Sequence, residues 1–71
     1  MELIEFNNKV VRITDIDGQI FKGVVLYEDK DVYDEEFDGL SVNSGTRWTK
    51  LFEDEIKEIE ITEKINQSKS P

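Results

Sequence analysis

Apolar and polar residues alternate in short stretches along this chain, which is the pattern of half-buried β-strands. In KVVRIT, residues 9–14, Val11 and Ile13 fall on one face and polar residues fall on the other. The same alternation returns in IKEIEIT, residues 56–62, where isoleucines alternate with glutamates. The pattern therefore predicts one strand near the start of the chain and one near its end.

The longest apolar stretch is QIFKGVVLYE, residues 19–28. It follows Asp17 and Gly18, and an Asp-Gly pair is a strong hairpin signal because glycine accepts a positive φ. Gly23 interrupts the stretch, and a glycine inside a strand usually marks a bend or a close backbone approach. We therefore predict a hairpin whose second strand is long and bends at Gly23.

Two shorter strands are predicted between the long strand and the last one. LSV at residues 40–42 and RWTKLF at residues 47–52 are separated by NSGT, a tight-turn sequence. EDE, residues 53–55, suits a single helical turn before the last strand. Five short strands with tight turns, one of them strongly bent, predict an all-β fold, a small and highly curved antiparallel barrel.

The two ends of the chain are less regular. In MELIEF, Leu3 and Phe6 are three residues apart, which suits one helical turn laid against a core, and an edge strand is the alternative. EKINQSKSP, at the other end, has few apolar groups. We predict a single domain over residues 1–62 and a flexible tail over residues 63–71.

The composition excludes several kinds of chemistry. The chain has 71 residues and contains neither cysteine nor histidine, which removes disulfides, thiolate zinc sites, cysteine nucleophiles and histidine bases. A core this small commonly needs oligomerisation as support when disulfides and metals are lacking. No apolar run approaches the roughly 20 residues that span a membrane. MELIEF also lacks the basic start of a secretory signal, so we expect a cytoplasmic protein that does not contact membranes.

Most of the excess negative charge lies in one segment. The net charge is -8, and residues 28–38 hold seven acids and one lysine. Such a segment favours basic partners and repels phosphates, so it counts against nucleic-acid binding. We predict that the segment is an acidic loop that contacts a protein partner. The residues expected to make that contact are Asp31, Asp34, Glu35, Glu36 and Asp38.

The acidic segment suggests a metal site or a carboxylate active site, and neither pattern is complete. Asp29 and Asp31 have the spacing of the first two EF-hand ligands, but Tyr33 and Asp34 occupy positions where that loop needs a ligand and a glycine. Carboxylate catalysis needs a cleft, whereas a barrel this small is filled by its own side chains. We therefore predict a non-catalytic protein with no metal and no cofactor.

Two stretches resemble the two sequence boxes of the Sm and Sm-like family. NKVVRITDIDGQIFKGVVLYEDKD is similar to the first box, in which a strand, an Asp-Gly turn, a bent strand with an internal glycine and an aspartate follow in order. The corresponding residues are Asp17, Gly18, Gly23 and Asp29. LFEDEIKEIEI is similar to the second box, in which a hydrophobic residue and a short turn lead into an isoleucine-rich strand. The resemblance covers residues 8–62.

The resemblance implies a five-stranded, strongly bent antiparallel barrel with a short N-terminal helix. It also implies assembly, because Sm-like subunits commonly pair the fourth strand of one copy with the fifth strand of the next and so build a ring. A free strand edge promotes uncontrolled pairing with other chains. A heterologous contact between two different edges closes into a ring when the rotation from one copy to the next permits. The residues expected at such a subunit interface are Trp48, Ile56, Ile59 and Ile61.

The chain departs from the RNA-binding members of that family at their base-contacting positions. Tyr33 stands where those members have an asparagine, and Phe52 and Glu53 stand where they have an arginine-glycine pair. Only Asp29 is retained. The first hypothesis is therefore a homo-oligomeric assembly module with a basic protein partner. The alternative is an Sm-like RNA-binding protein whose ligand-facing residues are Asp29, Tyr33 and Phe52, because bases stack on aromatic rings for about 1–3 kcal/mol each.

Four basic residues lie among apolar neighbours in the predicted strands. They are Arg12, Lys22, Arg47 and Lys50. We interpret them as solvated outward positions or as cross-strand partners of Glu58 and Glu60, rather than as a nucleic-acid patch.

Overall fold

A computed structural model of the chain describes residues 2–63, and its elements are five strands and two single turns of 3-10 helix. In chain order they are η1 (Leu3–Phe6), β1 (Val10–Asp15), β2 (Ile20–Glu28), β3 (Gly39–Asn43), β4 (Trp48–Phe52), η2 (Glu53–Glu55) and β5 (Ile56–Glu63). The predicted tail lies, from residue 64 onwards, outside the described residues. The N-terminal stretch is the predicted helical turn rather than an edge strand.

The five strands form one antiparallel sheet in the order β4-β3-β2-β1-β5. The long strand β2 pairs with β1 over residues 20–24 and with β3 over residues 24–28. Val24 is the residue that belongs to both ladders. The strand therefore changes partners at its middle, where the sequence predicts a bend.

Gly23 makes that bend possible. Its φ of +152° lies in a region that residues with a side chain rarely adopt. A Cβ at this position would overlap the carbonyl oxygen of Asn43 and lie 2.7 Å from its carbonyl carbon. The end of β3 therefore approaches β2 so closely that only a hydrogen atom fits between them.

The sheet curls around one hydrophobic core. Val11 and Ile13 are fully buried, as their alternation predicts. Every strand and η1 contribute to the same cluster. Its buried members are Leu3, Val11, Ile13, Val25, Leu40, Val42, Leu51 and Ile56. The small, strongly bent all-β fold predicted from the sequence is confirmed.

The β1–β2 turn is built around a buried aspartate. Asp15 is 7% exposed, and one oxygen of its carboxylate accepts hydrogen bonds from the backbone N–H groups of Asp17, at 2.9 Å, and Gln19, at 2.8 Å. Gly18 occupies the turn with a φ of +86°, as the Asp-Gly signal predicts. Because the buried charge is satisfied by backbone donors, Asp15 has a structural role in fixing the hairpin.

Two strand edges of the sheet are unpaired in the described part of the chain, one on β4 and one on β5. The short turn η2 joins these two strands directly. The Glu55 side chain accepts a hydrogen bond from the Phe52 N–H at 2.9 Å, and the Glu55 carbonyl accepts one from the Ile16 N–H at 3.0 Å. The turn is thus fixed to the body of the domain while both edges remain open.

Candidate functional site

The acidic loop, residues 29–38, is closed by two of its own carboxylates. Asp29 accepts hydrogen bonds from the N–H groups of Asp31, at 2.7 Å, and Val32, at 3.3 Å. Asp38 accepts one from the Lys30 N–H at 2.9 Å. These side chains replace the missing backbone partners of the turn. The structure therefore gives Asp29 and Asp38 a structural role in shaping the loop.

Both carboxylates also act on the tyrosine beneath them. Partial burial, together with the negative charges of Asp38 and Asp29, raises the pKa of the Tyr27 hydroxyl to about 12. Burial and like charge both disfavour the ionised phenolate. The Tyr27 side chain therefore stays neutral under the loop, where its hydroxyl donates to Asp29 at 3.5 Å.

The outer part of the acidic loop combines charge with apolar surface. Its exposed carboxylates form no ion pair among residues 2–63. They are Asp31, Asp34, Glu35 and Glu36. The large apolar side chains of Val32, Tyr33 and Phe37 are exposed in the same segment. The predicted contact loop thus exposes both acidic and apolar groups to solvent.

Behind the acidic loop, a lysine is held on the outer face of the sheet. The Lys50 ammonium lies 2.7 Å from one oxygen of Glu28, and the other oxygen accepts a hydrogen bond from the Ser41 hydroxyl at 2.6 Å. The register brings them together because Ser41 lies opposite Lys50 in the β3–β4 ladder and Glu28 ends the neighbouring strand. The ion pair is only partly exposed, so water screens it less than a surface pair.

Two aromatic rings flank this lysine. The Lys50 ammonium lies 5.2 Å from the centre of the Tyr33 ring and 4.8 Å from that of Phe52. Each distance is within the range of a cation–π contact. The structure therefore brings together the two aromatic residues predicted to face a ligand. We call Glu28, Tyr33, Ser41, Lys50 and Phe52 the lysine cluster.

The lysine cluster shifts the titration of its two charged members. Hydrogen bonds from Lys50 and Ser41 hold the pKa of the Glu28 carboxyl below its ordinary value of 4.5. The hydrogen bond between Lys50 and Glu28 also raises the pKa of the Lys50 ammonium above its ordinary value of 10.5. Each partner favours the charged form of the other. Since Tyr33 contacts Lys50, the pair also anchors the acidic loop to the sheet.

We expect the Lys50→Met substitution to lower stability by about 0.5–1 kcal/mol near neutral pH, because the pair is partly exposed. The lowered pKa of Glu28 stabilises the fold at a pH above the pKa of this group in the unfolded chain. The stabilisation is lost as the pH falls through its pKa in the folded chain. The raised pKa of Lys50 stabilises the fold at a pH below its pKa in the unfolded chain, and this effect is lost as the pH rises through its pKa in the folded chain. The difference between Lys50→Met and the natural chain should be largest between pH 4.5 and 10.5.

Urea unfolding across that pH range measures this difference, and Arg12→Met is the matched control. Arg12 pairs with Glu60 at 3.1 Å, but both side chains are well exposed, so its removal should change stability by less than about 0.5 kcal/mol. Parallel pH profiles for the natural chain and Lys50→Met would contradict the stabilising role of the cluster.

The remaining predicted site residues occupy three environments. Trp48 lies opposite Asn43, on the same face of β4 as Lys50 two residues along the strand, and is 54% exposed. Ile61 is 46% exposed on β5. Ile59 packs partly against the core, and Ile56 is buried in it. The predicted interface set thus contains two exposed apolar residues, one on each strand with a free edge.

The cross-strand prediction for the basic residues is confirmed for one of them and wrong for another. Arg12 pairs with Glu60 across the β1–β5 ladder. Lys50 pairs with Glu28 on β2 instead of with a glutamate of β5, because β4 and β5 lie at opposite ends of the sheet order. Arg47 precedes β4 and lies in the β3–β4 turn rather than on a strand.

Two further properties bear on chemistry. Within residues 2–63, no group of three or more acidic side chains is arranged to hold a metal ion. In the same part of the chain, no helix is long and apolar enough to cross a membrane.

Comparison with family models, curated proteins and solved structures finds no match to this chain. The fold and the site define a small all-β domain with two open strand edges, an acidic loop and a lysine held between aromatic rings. The functional proposal therefore rests on the geometry of this domain and on its sequence.

Proposed function

We propose that this chain is a non-catalytic, Sm-like binding and assembly module. It forms a homo-oligomeric ring through its strand edges and contacts a basic protein through its acidic loop. The observation that carries the proposal is the sheet order, which leaves one free edge on the fourth strand and one on the fifth. These are the two strands that Sm-like subunits pair.

The free edges are suited to pairing with each other. Each edge presents backbone N–H and C=O groups without ladder partners in the described domain, and it carries one large exposed apolar side chain, Trp48 on β4 and Ile61 on β5. Pairing β4 of one copy with β5 of the next satisfies these groups. Because the two edges differ, the contact is heterologous, and it closes into a ring when the rotation permits.

The acidic loop supplies the second contact. Four of its carboxylates are exposed and not held by a lysine or arginine in the described domain. Such a concentration of one charge attracts a basic surface and speeds association, with an effect that salt weakens. The exposed apolar residues of the same loop add contact area that salt does not screen.

RNA binding is the alternative function, and the lysine cluster is the observation that favours it. Tyr33 and Phe52 offer rings for base stacking, and Lys50 between them is a cation that phosphate attracts. Glu28 neutralises that cation at 2.7 Å, and the acidic loop lies beside it. We therefore rank RNA second to a protein partner.

The test of both functions is the mass of the particle by light scattering, with and without short oligo-U or oligo-A at low salt. We expect one defined oligomer at high salt, and no change of the low-salt mass when RNA is added. A monodisperse monomer at high protein concentration would contradict the ring. Amide shifts of Tyr33 and Phe52 on adding RNA, with an affinity that falls steeply with salt, would instead support the alternative.

A further inference from the structure

A shallow groove of about 420 Å³ lies between the β1–β2 hairpin and the β3–β4 turn. Its lining residues are Gln19, Ile20, Phe21, Lys22, Ser44, Arg47 and Thr49. We call it the basic groove, because its two charged residues are Lys22 and Arg47. Neither forms an ion pair with another residue of the described chain.

The charge of this groove is unusual for the molecule. The chain has a net charge of -8, and two other surface grooves are lined by glutamates or aspartates. One of them contains Glu58 and Glu60. The other contains Glu35, Glu36, Asp54 and Glu55. The lining of the basic groove has no carboxylate, so a negatively charged ligand meets only cationic charge among the lining residues.

The groove also has an apolar side. Ile20 is 52% exposed, and Phe21 is half-buried beside it. The Ser44 N–H donates to the Arg47 carbonyl at 3.1 Å, so the turn that carries Arg47 has a defined shape. A matching ligand therefore combines carboxylates with at least one apolar side chain.

We propose that the basic groove binds the acidic loop of a second copy of this chain. That loop has the required composition, because Glu35 and Glu36 adjoin the exposed Phe37. In its own molecule the loop lies elsewhere, because its Tyr33 ring contacts Lys50 and none of its residues lines the groove.

Charge complementarity favours this occupant over nucleic acid. Two cations displace few counterions from a phosphate backbone, which supplies little affinity in a chain that repels phosphates as a whole. The apolar side of the groove, with Ile20 exposed, also matches the Phe37 or Val32 side chain better than it matches a backbone of phosphates. A protein loop uses both halves of the groove.

This contact deepens the proposed function, since it rests on the proposed role of the acidic loop and identifies the basic partner as the next copy. Apart from Thr49 on β4, the residues of the groove and of the loop lie outside the two strands that carry the free edges. The loop and the groove are different surfaces, so the contact is heterologous and repeats from one copy to the next. Salt weakens such a contact, whereas strand pairing is largely insensitive to salt.

The test is sedimentation at low and high salt. At low salt we expect the natural chain to associate beyond the mass found at high salt. The charge reversals Lys22→Glu/Arg47→Glu in the groove or Glu35→Lys/Glu36→Lys in the loop should each weaken this step at least tenfold, because like charges then face each other, at a cost of about 1.4 kcal/mol or more. Combining all four substitutions should restore it.

The matched control is Lys22→Glu/Arg47→Glu combined with Glu2→Lys/Glu5→Lys. It has the same net charge as the fourfold loop-and-groove variant, because both return to the natural -8. Glu2 and Glu5 are exposed and lie outside the loop and the groove. Only the loop-and-groove combination should associate. Recovery in both variants would overturn the proposal, because net charge alone would then explain it.

Two other outcomes would also overturn it. One is the lack of any salt-dependent association in the natural chain. The other is binding of short RNA that depends on Lys22 and Arg47 without self-association. In either case the ring formed by strand pairing should still be found at high salt. Failure of the loop–groove contact is therefore distinguishable from failure of strand-edge assembly.

Discussion

Alanine in place of Gly23 is expected to abolish folding of the isolated domain. The added Cβ would overlap the carbonyl oxygen of Asn43, and a φ of +152° is strained for any residue with a side chain. Backbone strain and overpacking each cost about 1–3 kcal/mol. A domain of this size has only a few kcal/mol of net stability. The clash is with backbone, so no side-chain movement can relieve it.

Circular dichroism and urea unfolding measure this effect, and Gly18→Ala is the matched control. Gly18 also has a positive φ, +86°, but a Cβ there meets nothing within 4 Å. Its replacement should therefore cost only about 1–2 kcal/mol and leave the fold intact. A Gly23→Ala variant as stable as Gly18→Ala would show that β2 does not approach β3 as closely as described.

Lysine in place of Ile61 is expected to dissociate the proposed ring into folded monomers. Ile61 is 46% exposed on the free edge of β5, so the substitution leaves the core intact. In the oligomer, the same position would bury an ammonium without a partner, which costs several kcal/mol per contact. Ile59 is a poorer choice, because it packs against the core and its replacement would also destabilise the monomer.

Light scattering and circular dichroism together separate dissociation from unfolding. Ile4→Lys is the matched control, since Ile4 is 58% exposed on η1 and lies on neither free edge. It should leave the mass of the oligomer unchanged. Trp48→Lys should repeat the Ile61→Lys result from the other strand. An oligomer that survives both edge substitutions would sink the edge-to-edge assembly.

Much of the fold was predictable because its signals are local. The alternation around Val11 and Ile13 predicts which face of β1 is buried, and both residues are fully buried. Gly23 predicts the bend, since an isolated glycine in a strand has few other uses. The Asp17-Gly18 pair predicts the hairpin. In each case neighbouring residues carry the whole signal, so one short stretch is sufficient.

The lysine cluster was not predictable because it depends on the order of strands in the sheet. Lys50 and Glu28 are far apart in the chain, and they meet only because β3 lies between their strands. Charge alone offers Lys50 many acidic partners in so acidic a protein. Tyr33 and Phe52 were expected near each other, but the lysine between them was not.

Asp29 has a structural role that its position in the sequence does not reveal. The sequence predicts a ligand-facing carboxylate, and in the structure Asp29 also accepts hydrogen bonds from two N–H groups of its own turn. Aspartate has both uses in loops, and only the backbone geometry separates them. Ile56 illustrates the same difficulty for apolar residues. It belongs to the expected interface by pattern, yet it lies in the core at the start of β5.

The three-residue turn η2 has a consequence for the number of copies in the proposed ring. It links the strands that carry the two free edges and is held at both ends by hydrogen bonds of Glu55. Because the turn is fixed, the angle between the two edges is the same in every copy. In the proposed ring each added copy is therefore rotated by the same angle, and that angle determines how many copies close the ring.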